Sequence, residues 1–263
     1  MNAGTELLSV RAFTAGYGAM PVVLGISLDV SAGEVVAVLG RNGAGKTTSL
    51  SAIAGLRSGK STGDVLLNGK NVSSLSSAEI VRQGLALVPE GHRVFASLTV
   101  RQNLELGAAP LGRRQRRSAV GPALDRVYQL FPVLKDFGKR PAGLLSGGQQ
   151  QMVAIGQALM AGPRVLMLDE PTSGIAPGLC DEIYAAVLRL KSEQLAVLVV
   201  EQNVARALRN SDRYLVMERG RFVLAGGSHD ADAFGRIESV ILDVGNSSSP
   251  PGAVITEPSA AES

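Results

Sequence analysis

The residues of this chain that could do chemistry begin with a glycine-rich segment at positions 40–47, Gly-Arg-Asn-Gly-Ala-Gly-Lys-Thr, which fits the pattern G-x-x-x-x-G-K-[ST]. In such a loop, backbone N–H groups close around phosphate oxygens, and the N-terminal end of the next helix adds positive charge. Lys46 supplies a point charge, and the Thr47 hydroxyl can bind Mg²⁺. The alternative is a glycine-rich turn without a ligand. The spacing favours a cradle for a nucleoside triphosphate.

Two adjacent carboxylates form a second chemical group. Asp169 and Glu170 directly follow the apolar run 165–168, Val-Leu-Met-Leu, which is typical of a buried strand. In a phosphate-binding protein, the first acid after such a strand can hold Mg²⁺ through water. The next acid can deprotonate the water that attacks the γ-phosphate. The alternative is that both acids cap the helix expected near Pro177.

Two further features gain meaning from these neighbours. Residues 145–149, Leu-Ser-Gly-Gly-Gln, open a helix predicted to run to Met160, and a serine with two glycines at a helix N-terminus makes a second anion site. The same residue types are also ordinary N-cap and turn material. Tyr17 stands between two glycines ahead of the phosphate-binding loop, or P-loop. It is either a turn tyrosine that packs on a sheet or an aromatic ring for stacking on adenine.

The elements that must position these residues follow from hydrophobic patterning. A buried parallel strand is predicted at 35–39, Val-Val-Ala-Val-Leu, and a helix is predicted from Lys46. Further core strands are predicted at 85–88, 165–168 and 195–200. Open α/β sheets place ligands at the carboxyl ends of such strands. A separate β layer is predicted from residues 7–13, 22–30 and 64–67, with a turn at 14–18, and a hairpin from 214–217 and 222–225.

A helical insertion is predicted at about residues 96–160. Capping boxes begin at Ser76 and Thr99, and from Thr99 onward the pattern is helical without a convincing strand. Prolines are expected to break these helices at Pro110, Pro122, Pro132 and Pro141. The arginine-rich run at 113–117 fits a solvated helix face, or a surface that docks to a partner or to anionic headgroups. One domain is therefore expected over residues 1–245, followed by a disordered tail at 246–263.

Composition restricts the class of protein. The chain has 263 residues, is 45% hydrophobic, and carries 26 basic and 23 acidic residues for a net charge of +3, which does not argue for nucleic acid. Cys180 is the only cysteine, which excludes an intrachain disulfide and suits a reducing compartment. The first 13 residues do not look like a signal peptide, and no apolar run approaches the roughly 20 residues that span a bilayer. Any membrane role is therefore expected to come through a partner.

The P-loop with Lys46, the segment 145–149 and the Asp169-Glu170 pair together resemble the ATP-binding subunits of ABC transporters, over about residues 5–240. The resemblance implies an α/β fold: a P-loop NTPase core of ABC ATPase type with an antiparallel β layer and a helical insertion. It implies ATP and Mg²⁺ as cofactors. It also implies transmembrane permease subunits, a solute-binding protein in the periplasm or outside the cell that acts indirectly, and a place on the cytoplasmic face of the membrane.

In that family, two nucleotide domains face each other head to tail, so a second ABC ATPase subunit, identical or different, is expected. The resemblance implies that Lys46, Glu170 and Gln202 are catalytic and that Thr47, Asp169 and Glu90 hold the metal. It also implies that Ser146, Gly147 and Gly148 contact the γ-phosphate of the ATP molecule bound by the opposite subunit. The implied ATP-binding residues are Tyr17, Gly40, Arg41, Asn42, Gly43, Ala44, Gly45, Lys46, Thr47, Thr48, Glu90, Ser146, Gly147, Gly148 and Gln149.

Three positions depart from the general family pattern. Glu90 stands where most members carry Gln in the loop that touches the membrane partner, and Ala176 stands where an Asp usually follows in the dimer-contact loop. Gln202 replaces the His that usually reaches the γ-phosphate. Because an amide can donate a hydrogen bond but carries no titrating charge, a mechanism that needs a protonated imidazole is put in doubt.

Read together, these departures are similar to the ATPase subunits of bacterial branched-chain amino-acid importers. The stretches that carry this similarity are 89–95 (Pro-Glu-Gly-His-Arg-Val-Phe), 174–177 (Gly-Ile-Ala-Pro) and 200–203 (Val-Glu-Gln-Asn). Importers of urea and short amides share much of the pattern and remain an alternative. An ABC ATPase without a transport role is another alternative, although a single domain of 245 residues argues against it. A nucleotide-binding module that switches without hydrolysis is a third, although the intact Lys46, Asp169 and Glu170 argue against it.

Overall fold

A computed structural model describes residues 5–56, 59–91 and 93–243, with only the backbone described at residue 243. The strands are β1 (Glu6–Tyr17), β2 (Met20–Ser31), β3 (Val35–Leu39), β4 (Thr62–Leu67), β5 (Lys70–Asn71), β6 (Leu85–Val88), β7 (Val165–Asp169), β8 (Ala196–Glu201), β9 (Arg213–Glu218) and β10 (Arg221–Gly227). The helices are α1 (Lys46–Ile53), α2 (Ser77–Arg82), α3 (Val100–Leu106), α4 (Arg113–Leu130), α5 (Val133–Asp136), α6 (Gly147–Leu159), α7 (Pro177–Ser192), α8 (Val204–Arg209) and α9 (Ala233–Asp243).

The central sheet has six strands in the order β10-β9-β3-β8-β7-β6. β9, β3, β8, β7 and β6 run parallel, and β10 pairs antiparallel with β9 as the predicted hairpin. Both faces of this sheet are covered, which is why its strands read as continuous apolar runs rather than as alternating ones. In β8, for example, Val197 and Val199 pack on one side and Leu198 and Val200 pack on the other.

A second, antiparallel sheet has the order β2-β1-β4-β5 and forms the predicted β layer. One hydrophobic core lies between the two sheets and includes Leu50 and Ile53 of α1. The other core lies on the far face of the central sheet, under helices α3 to α9. The architecture is therefore the expected α/β core with an added antiparallel layer.

The predicted turn at 14–18 is wrong. β1 continues through residues 14–17, and Gly16 pairs with Pro21 across the hairpin. A Cβ atom at Gly16 would lie 2.0 Å from the carbonyl oxygen of Met20. The glycine is therefore present because two strands approach closely there and not because the chain turns.

Helices α3 to α6 and a 3₁₀ turn, Ala142–Leu144, lie between β6 and β7. Capping boxes are present at Ser76 and Thr99, as predicted. The expected break at Pro122 is wrong, because α4 continues through this residue. Pro122 is exposed, so the carbonyl group that loses its intrahelical partner faces the solvent side. The arginine run 113–117 begins α4 with exposed side chains, as a solvated helix face requires.

The C-terminal helix α9 was not predicted from the sequence. It packs on the sheet through Ile237, which is fully buried in the helix-covered core. The tail predicted at 246–263 lies outside the described residues, as does His92 in the loop after β6. Among the helices described, none combines the length and apolarity that a membrane span requires.

Candidate functional site

The candidate site forms along the carboxyl edge of the parallel strands. Leu39 of β3 is in register with Glu201 of β8, and Val200 of β8 is in register with Asp169 of β7. Since these three strands are neighbours and end at the same edge, their following loops lie side by side. The P-loop, Glu170 and Gln202 are therefore brought together although they are far apart in sequence.

Three glycines give the P-loop its shape. Gly40, Gly43 and Gly45 have φ angles of 152°, 82° and 107°, which L side chains rarely adopt. A Cβ atom at Gly40 would lie 2.3 Å from the carbonyl oxygen of Met217, so β9 also presses on the loop. Because α1 begins directly at Lys46, its free N–H groups point into the loop. The loop can therefore accept phosphate oxygens.

Lys46 is buried within this loop, with 5% of its side chain exposed. Its ammonium donates to the carbonyl oxygens of Gly40 at 2.8 Å and Arg41 at 3.2 Å and lies 3.9 Å from Glu170 Oε1. Burial lowers the pKa of Lys46, and the nearby carboxylates of Glu170, Asp169 and Glu90 oppose that shift. The two carbonyl oxygens accept N–H groups of Lys46 that could instead be donated to phosphate oxygens.

A hydroxyl and a carboxylate meet beside Lys46. Thr47 Oγ1 donates to Asp169 Oδ1 at 3.2 Å, and Asp169 is 2% exposed. Burial raises the pKa of Asp169 to about 6, although the hydrogen bond from Thr47 acts in the opposite direction. No group of three or more His, Cys, Asp or Glu side chains suited to a metal occurs in the described part of the chain. The two oxygens fit Mg²⁺, which commonly takes one or two protein ligands and completes its shell with water and phosphate.

Glu170 adopts a left-handed backbone with φ of 47°, unusual for a side chain of its size. Its N–H donates to the carbonyl of Val200 at 3.0 Å, which ties the loop after β7 to β8. Only 8% of the Glu170 side chain is exposed. Each of its carboxylate oxygens accepts a hydrogen bond from Nε2 of Gln202, with N···O distances of 2.7 and 2.6 Å. The structure therefore brings all three predicted catalytic residues into one cluster, and it does not use Asp169 or Glu170 to cap α7, whose N-cap is Ala176.

Glu90 and Tyr17 lie at the margins of this cluster. Glu90 is exposed in the loop after β6, near enough to Lys46 and Asp169 to influence the pKa of each. Tyr17 is 55% exposed at the end of β1, and its hydroxyl lies 3.4 Å from Thr48 Oγ1. A cleft of about 20 Å³ runs beside Tyr17, Thr48 and Gly59. The residue borders this small groove next to the P-loop and is mostly open to solvent.

The segment 145–149 is not part of this cluster within the described chain. Ser146 is the N-cap of α6, and Ser146 and Gln149 form a reciprocal capping box. Ser146 is exposed, whereas Gly148 is buried. A Cβ atom at Gly148 would lie 2.5 Å from Leu179 Cδ1, so this glycine allows α6 to approach α7. The capping alternative considered for the motif is therefore realised, and an exposed helix N-terminus remains beside it.

Sequence reasoning missed four side chains below the site. Thr172, Tyr184, Glu201 and Arg206 are linked by hydrogen bonds, and the signal for them was the acid Glu201 at the end of an otherwise apolar strand. A cavity of about 270 Å³ was also unpredicted; it lies between residues 41–44, the end of β9 and α9. Its lining includes residues 41–44 of the P-loop but not Lys46, Asp169 or Glu170, so it borders the P-loop on the side away from the carboxylates.

Comparison with known proteins gives a consistent result. A family model described as ABC transporter matches residues 23–173. The high-affinity branched-chain amino acid transport ATP-binding protein BraG of Pseudomonas aeruginosa is 40% identical, over 86% of this chain and 94% of the relative. The probable branched-chain amino acid transport ATP-binding protein LivF of Archaeoglobus fulgidus is 36% identical, over 90% of this chain and 99% of the relative.

Solved structures agree with this assignment. A nucleotide-free ATP-binding cassette from an ABC transporter superposes with a TM-score of 0.78 at 26% identity, covering 91% of this chain and 98% of the other. The ADP conformation of an ATP-binding cassette gives the same TM-score, identity and coverage. Because the family match spans more than half of the chain and the relatives are covered almost completely, this chain belongs to the ABC transporter family and is an ATP-binding ATPase subunit of that family.

Proposed function

We propose that this chain hydrolyses ATP to power the import of branched-chain or similar amino acids. The observation that carries the proposal is the contact of Glu170 with both Lys46 and Gln202 at the carboxyl edge of the sheet. This is the arrangement that γ-phosphate hydrolysis needs: a cation for the phosphate, a carboxylate for the water and a neutral donor beside both. The transported class is inferred from the relatives named for branched-chain amino acids.

Binding of ATP would begin at the P-loop. Lys46 would exchange the carbonyl oxygens of Gly40 and Arg41 for phosphate oxygens, and the N–H groups of residues 43–48 would close around the phosphates. Thr47 and Asp169 would hold the metal, with Glu90 close enough to contribute through water. Mg²⁺ held by these residues would supply positive charge to offset that of the phosphates. Tyr17 would stack on adenine from the groove beside Thr48.

Hydrolysis would then use the two side chains that contact each other here. Glu170 would accept a proton from the attacking water. At the same time the water oxygen would bond to the γ-phosphorus, and the bond between that phosphorus and the bridging oxygen of ADP would break. Gln202 would leave the Glu170 carboxylate and donate its amide to the γ-phosphate, where negative charge accumulates. Because the amide has no charge to lose, this donation would not titrate near neutral pH.

The segment 145–149 would act on a second subunit. Ser146 is exposed at the start of α6, and its hydroxyl accepts a hydrogen bond from Gln149 N–H of the same helix. An anion site without an anion partner in the same chain is suited to ATP bound by a facing subunit. We therefore propose a head-to-tail pair with an identical or a similar ATPase, formed by a domain at 1–245 that includes the helical insertion at about 96–160.

The remaining partners are proposed from family membership and from the relatives' names. Permease subunits would cross the membrane, a solute-binding protein outside would act on them, and this chain would sit on the cytoplasmic face. The loop 89–95 would contact the permease, because it connects a core strand to the helical insertion. No nucleic-acid partner is proposed, since the net charge of +3 comes from interspersed basic and acidic residues.

The test is deletion of the gene, followed by measurement of uptake of radiolabelled leucine, isoleucine and valine beside urea. We expect amino-acid uptake to fall and to return when the wild-type chain is supplied, but not when Glu170→Gln is supplied. Unchanged amino-acid uptake with lost urea uptake would move the assignment to a urea or short-amide importer. No change in either would leave an ABC ATPase without this transport role.

A further inference from the structure

A buried polar cluster joins the loop after β7 to the end of β8 and to helices α7 and α8, next to the proposed catalytic residues. It consists of Thr172, Tyr184, Glu201 and Arg206, and we call it the Glu201 cluster. Glu201 Oε1 receives hydrogen bonds from Thr172 Oγ1 and from the Tyr184 hydroxyl, both at 2.7 Å. Thr172 Oγ1 in turn accepts from Nη1 of Arg206 at 2.8 Å. The exposed fractions of Thr172, Tyr184 and Glu201 are 3%, 3% and 4%.

The direction of these hydrogen bonds is fixed by chemistry. Arg206 can only donate, so Thr172 must accept from it and use its single proton toward Glu201. A buried carboxylate is costly unless its oxygens are hydrogen-bonded, and here two hydroxyl groups converge on one oxygen with a guanidinium behind them. The cluster is therefore a connected set in which removal of one hydroxyl leaves a buried acceptor short of a donor.

The position of the cluster relates it to the catalytic residues. Glu201 immediately precedes Gln202, and Thr172 is separated from Glu170 only by Pro171. The loop after β7 is also joined to β8 by the backbone bond from Glu170 N–H to the carbonyl of Val200 at 3.0 Å. The neighbours of Glu170 and Gln202 in sequence are therefore fixed by hydrogen bonds among Thr172, Tyr184 and Glu201, none of which bonds to a P-loop residue in the described structure.

We propose that Glu201, through Thr172 and Tyr184, is a positioning residue that sets the distance between the Glu170 carboxylate and the Gln202 amide during ATP hydrolysis. This inference rests on the proposed roles of Glu170 and Gln202. A misplacement of about 1 Å at a reacting group can cost about 10²-fold in rate. Disturbing the cluster should therefore slow the chemical step while ATP binding, which depends on the P-loop, is preserved.

The first experiment is the variant Tyr184→Phe in the purified full-length chain, with phosphate release measured across ATP concentrations. Phenylalanine keeps the packing and removes one donor to Glu201. We expect kcat to fall by about tenfold, with KM and the affinity for a non-hydrolysable ATP analogue within about twofold of wild type. Absence of ATP hydrolysis by the wild-type chain would refute the proposed function. An active wild type together with an unchanged kcat in Tyr184→Phe would refute the positioning role alone.

A matched control separates positioning from general stability. Ser211 and Ser228 form another buried hydroxyl pair, with their Oγ atoms 2.7 Å apart, far from β7 in sequence. Ser228→Ala, which leaves the bond from Ser211 to the Ala207 carbonyl of α8 in place, should lower Tm to a similar extent as Tyr184→Phe and leave kcat unchanged. If both variants lowered kcat in proportion to Tm, the Glu201 cluster would have only a structural role.

A double-mutant cycle tests the route of the effect. In a chain that already carries Gln202→Ala, the pairing of amide and carboxylate is gone, so Tyr184→Phe should cost much less than its tenfold effect in wild type. Fully additive effects on kcat would contradict action through this pair. Glu201→Gln, which keeps an oxygen acceptor, should retain more activity than Glu201→Ala, and equal loss in two folded variants, judged by Tm, would contradict the proposed acceptor role.

Discussion

Gln202 donates Nε2 to both carboxylate oxygens of Glu170, at 2.7 and 2.6 Å, so the general base proposed for hydrolysis is paired with a neutral side-chain amide. Each carboxylate oxygen therefore directs one of its lone pairs at the amide and keeps another for a second donor. The same amide is the group proposed to reach the γ-phosphate. Release of one contact and formation of the other would therefore occur together when ATP binds.

Gln202→Ala should lower kcat for ATP hydrolysis by about 10²-fold, because it removes a donor from the developing charge on the phosphate. KM should change little, since the P-loop holds the ground state. Gln202→His should recover part of the rate and introduce a dependence on pH near the usual pKa of histidine, about 6.5. Gln129→Ala, on the exposed face of α4, is the control, and wild-type kcat in Gln202→Ala would contradict the role.

Glu170→Gln should leave ATP binding intact and lower turnover by about 10²-fold or more, because general-base assistance is typically worth 10² to 10⁴. The ATP-bound pair of subunits should then accumulate, which size-exclusion chromatography with ATP measures directly. Glu182→Gln on the exposed side of α7 provides the control for the same chemical change. Wild-type phosphate release from Glu170→Gln would remove this residue from the base role.

Ser146→Arg should abolish hydrolysis, since a bulky cation at the N-terminus of α6 would clash with ATP bound by the facing subunit. Affinity for ATP at the P-loop of the same chain should be unaffected. Mixing Ser146→Arg with Lys46→Ala chains should restore activity at one composite site per pair. Absence of any restored activity would contradict the head-to-tail arrangement, and Ser118→Arg on α4 should be silent.

Glu90→Ala should uncouple ATP hydrolysis from transport more strongly than it weakens ATP binding. The reason is that Glu90 is exposed in the loop after β6 and yet interacts electrostatically with Lys46 and Asp169. Uptake and phosphate release are measured on the same vesicles, and the ratio of substrate taken up to phosphate released reports the coupling. Glu238→Ala, at an exposed position of α9, is the control for loss of a surface charge. An unchanged ratio in Glu90→Ala would make Glu90 an ordinary loop acid.

Tyr17→Ala should raise the KM for ATP by about tenfold, because stacking of a base on an aromatic ring is worth about 1–3 kcal/mol and 1.4 kcal/mol is tenfold in affinity. Tyr17→Phe should behave as wild type, since the hydroxyl is 3.4 Å from Thr48 and makes at most a weak bond. Equal KM in Tyr17→Ala and wild type would mean that the exposed ring has no part in nucleotide binding.

The P-loop and its strand could be read from the sequence because strand, loop and helix are contiguous, and the glycine positions and Lys46 lie within a single stretch. Capping boxes at Ser76 and Thr99 were readable for the same reason, since both partners of each box lie three residues apart. Helix α9 was within reach as well, because Ile237, Val240 and Ile241 follow a helical period, but Gly235 in its first turn weakened the pattern.

Other features depended on contacts between distant parts of the chain. The turn expected at 14–18 is strand, and Gly16 is needed there because the backbone of Met20 approaches it closely. The helix break expected at Pro122 is absent because Pro122 lies on the solvent-exposed face of α4. The sequence placed Glu170 and Gln202 only at the ends of two strands. That their side chains meet, with Glu201 held by Tyr184 and Thr172 below them, follows from the parallel pairing of β7 with β8, and this pairing brings together groups that no local pattern relates.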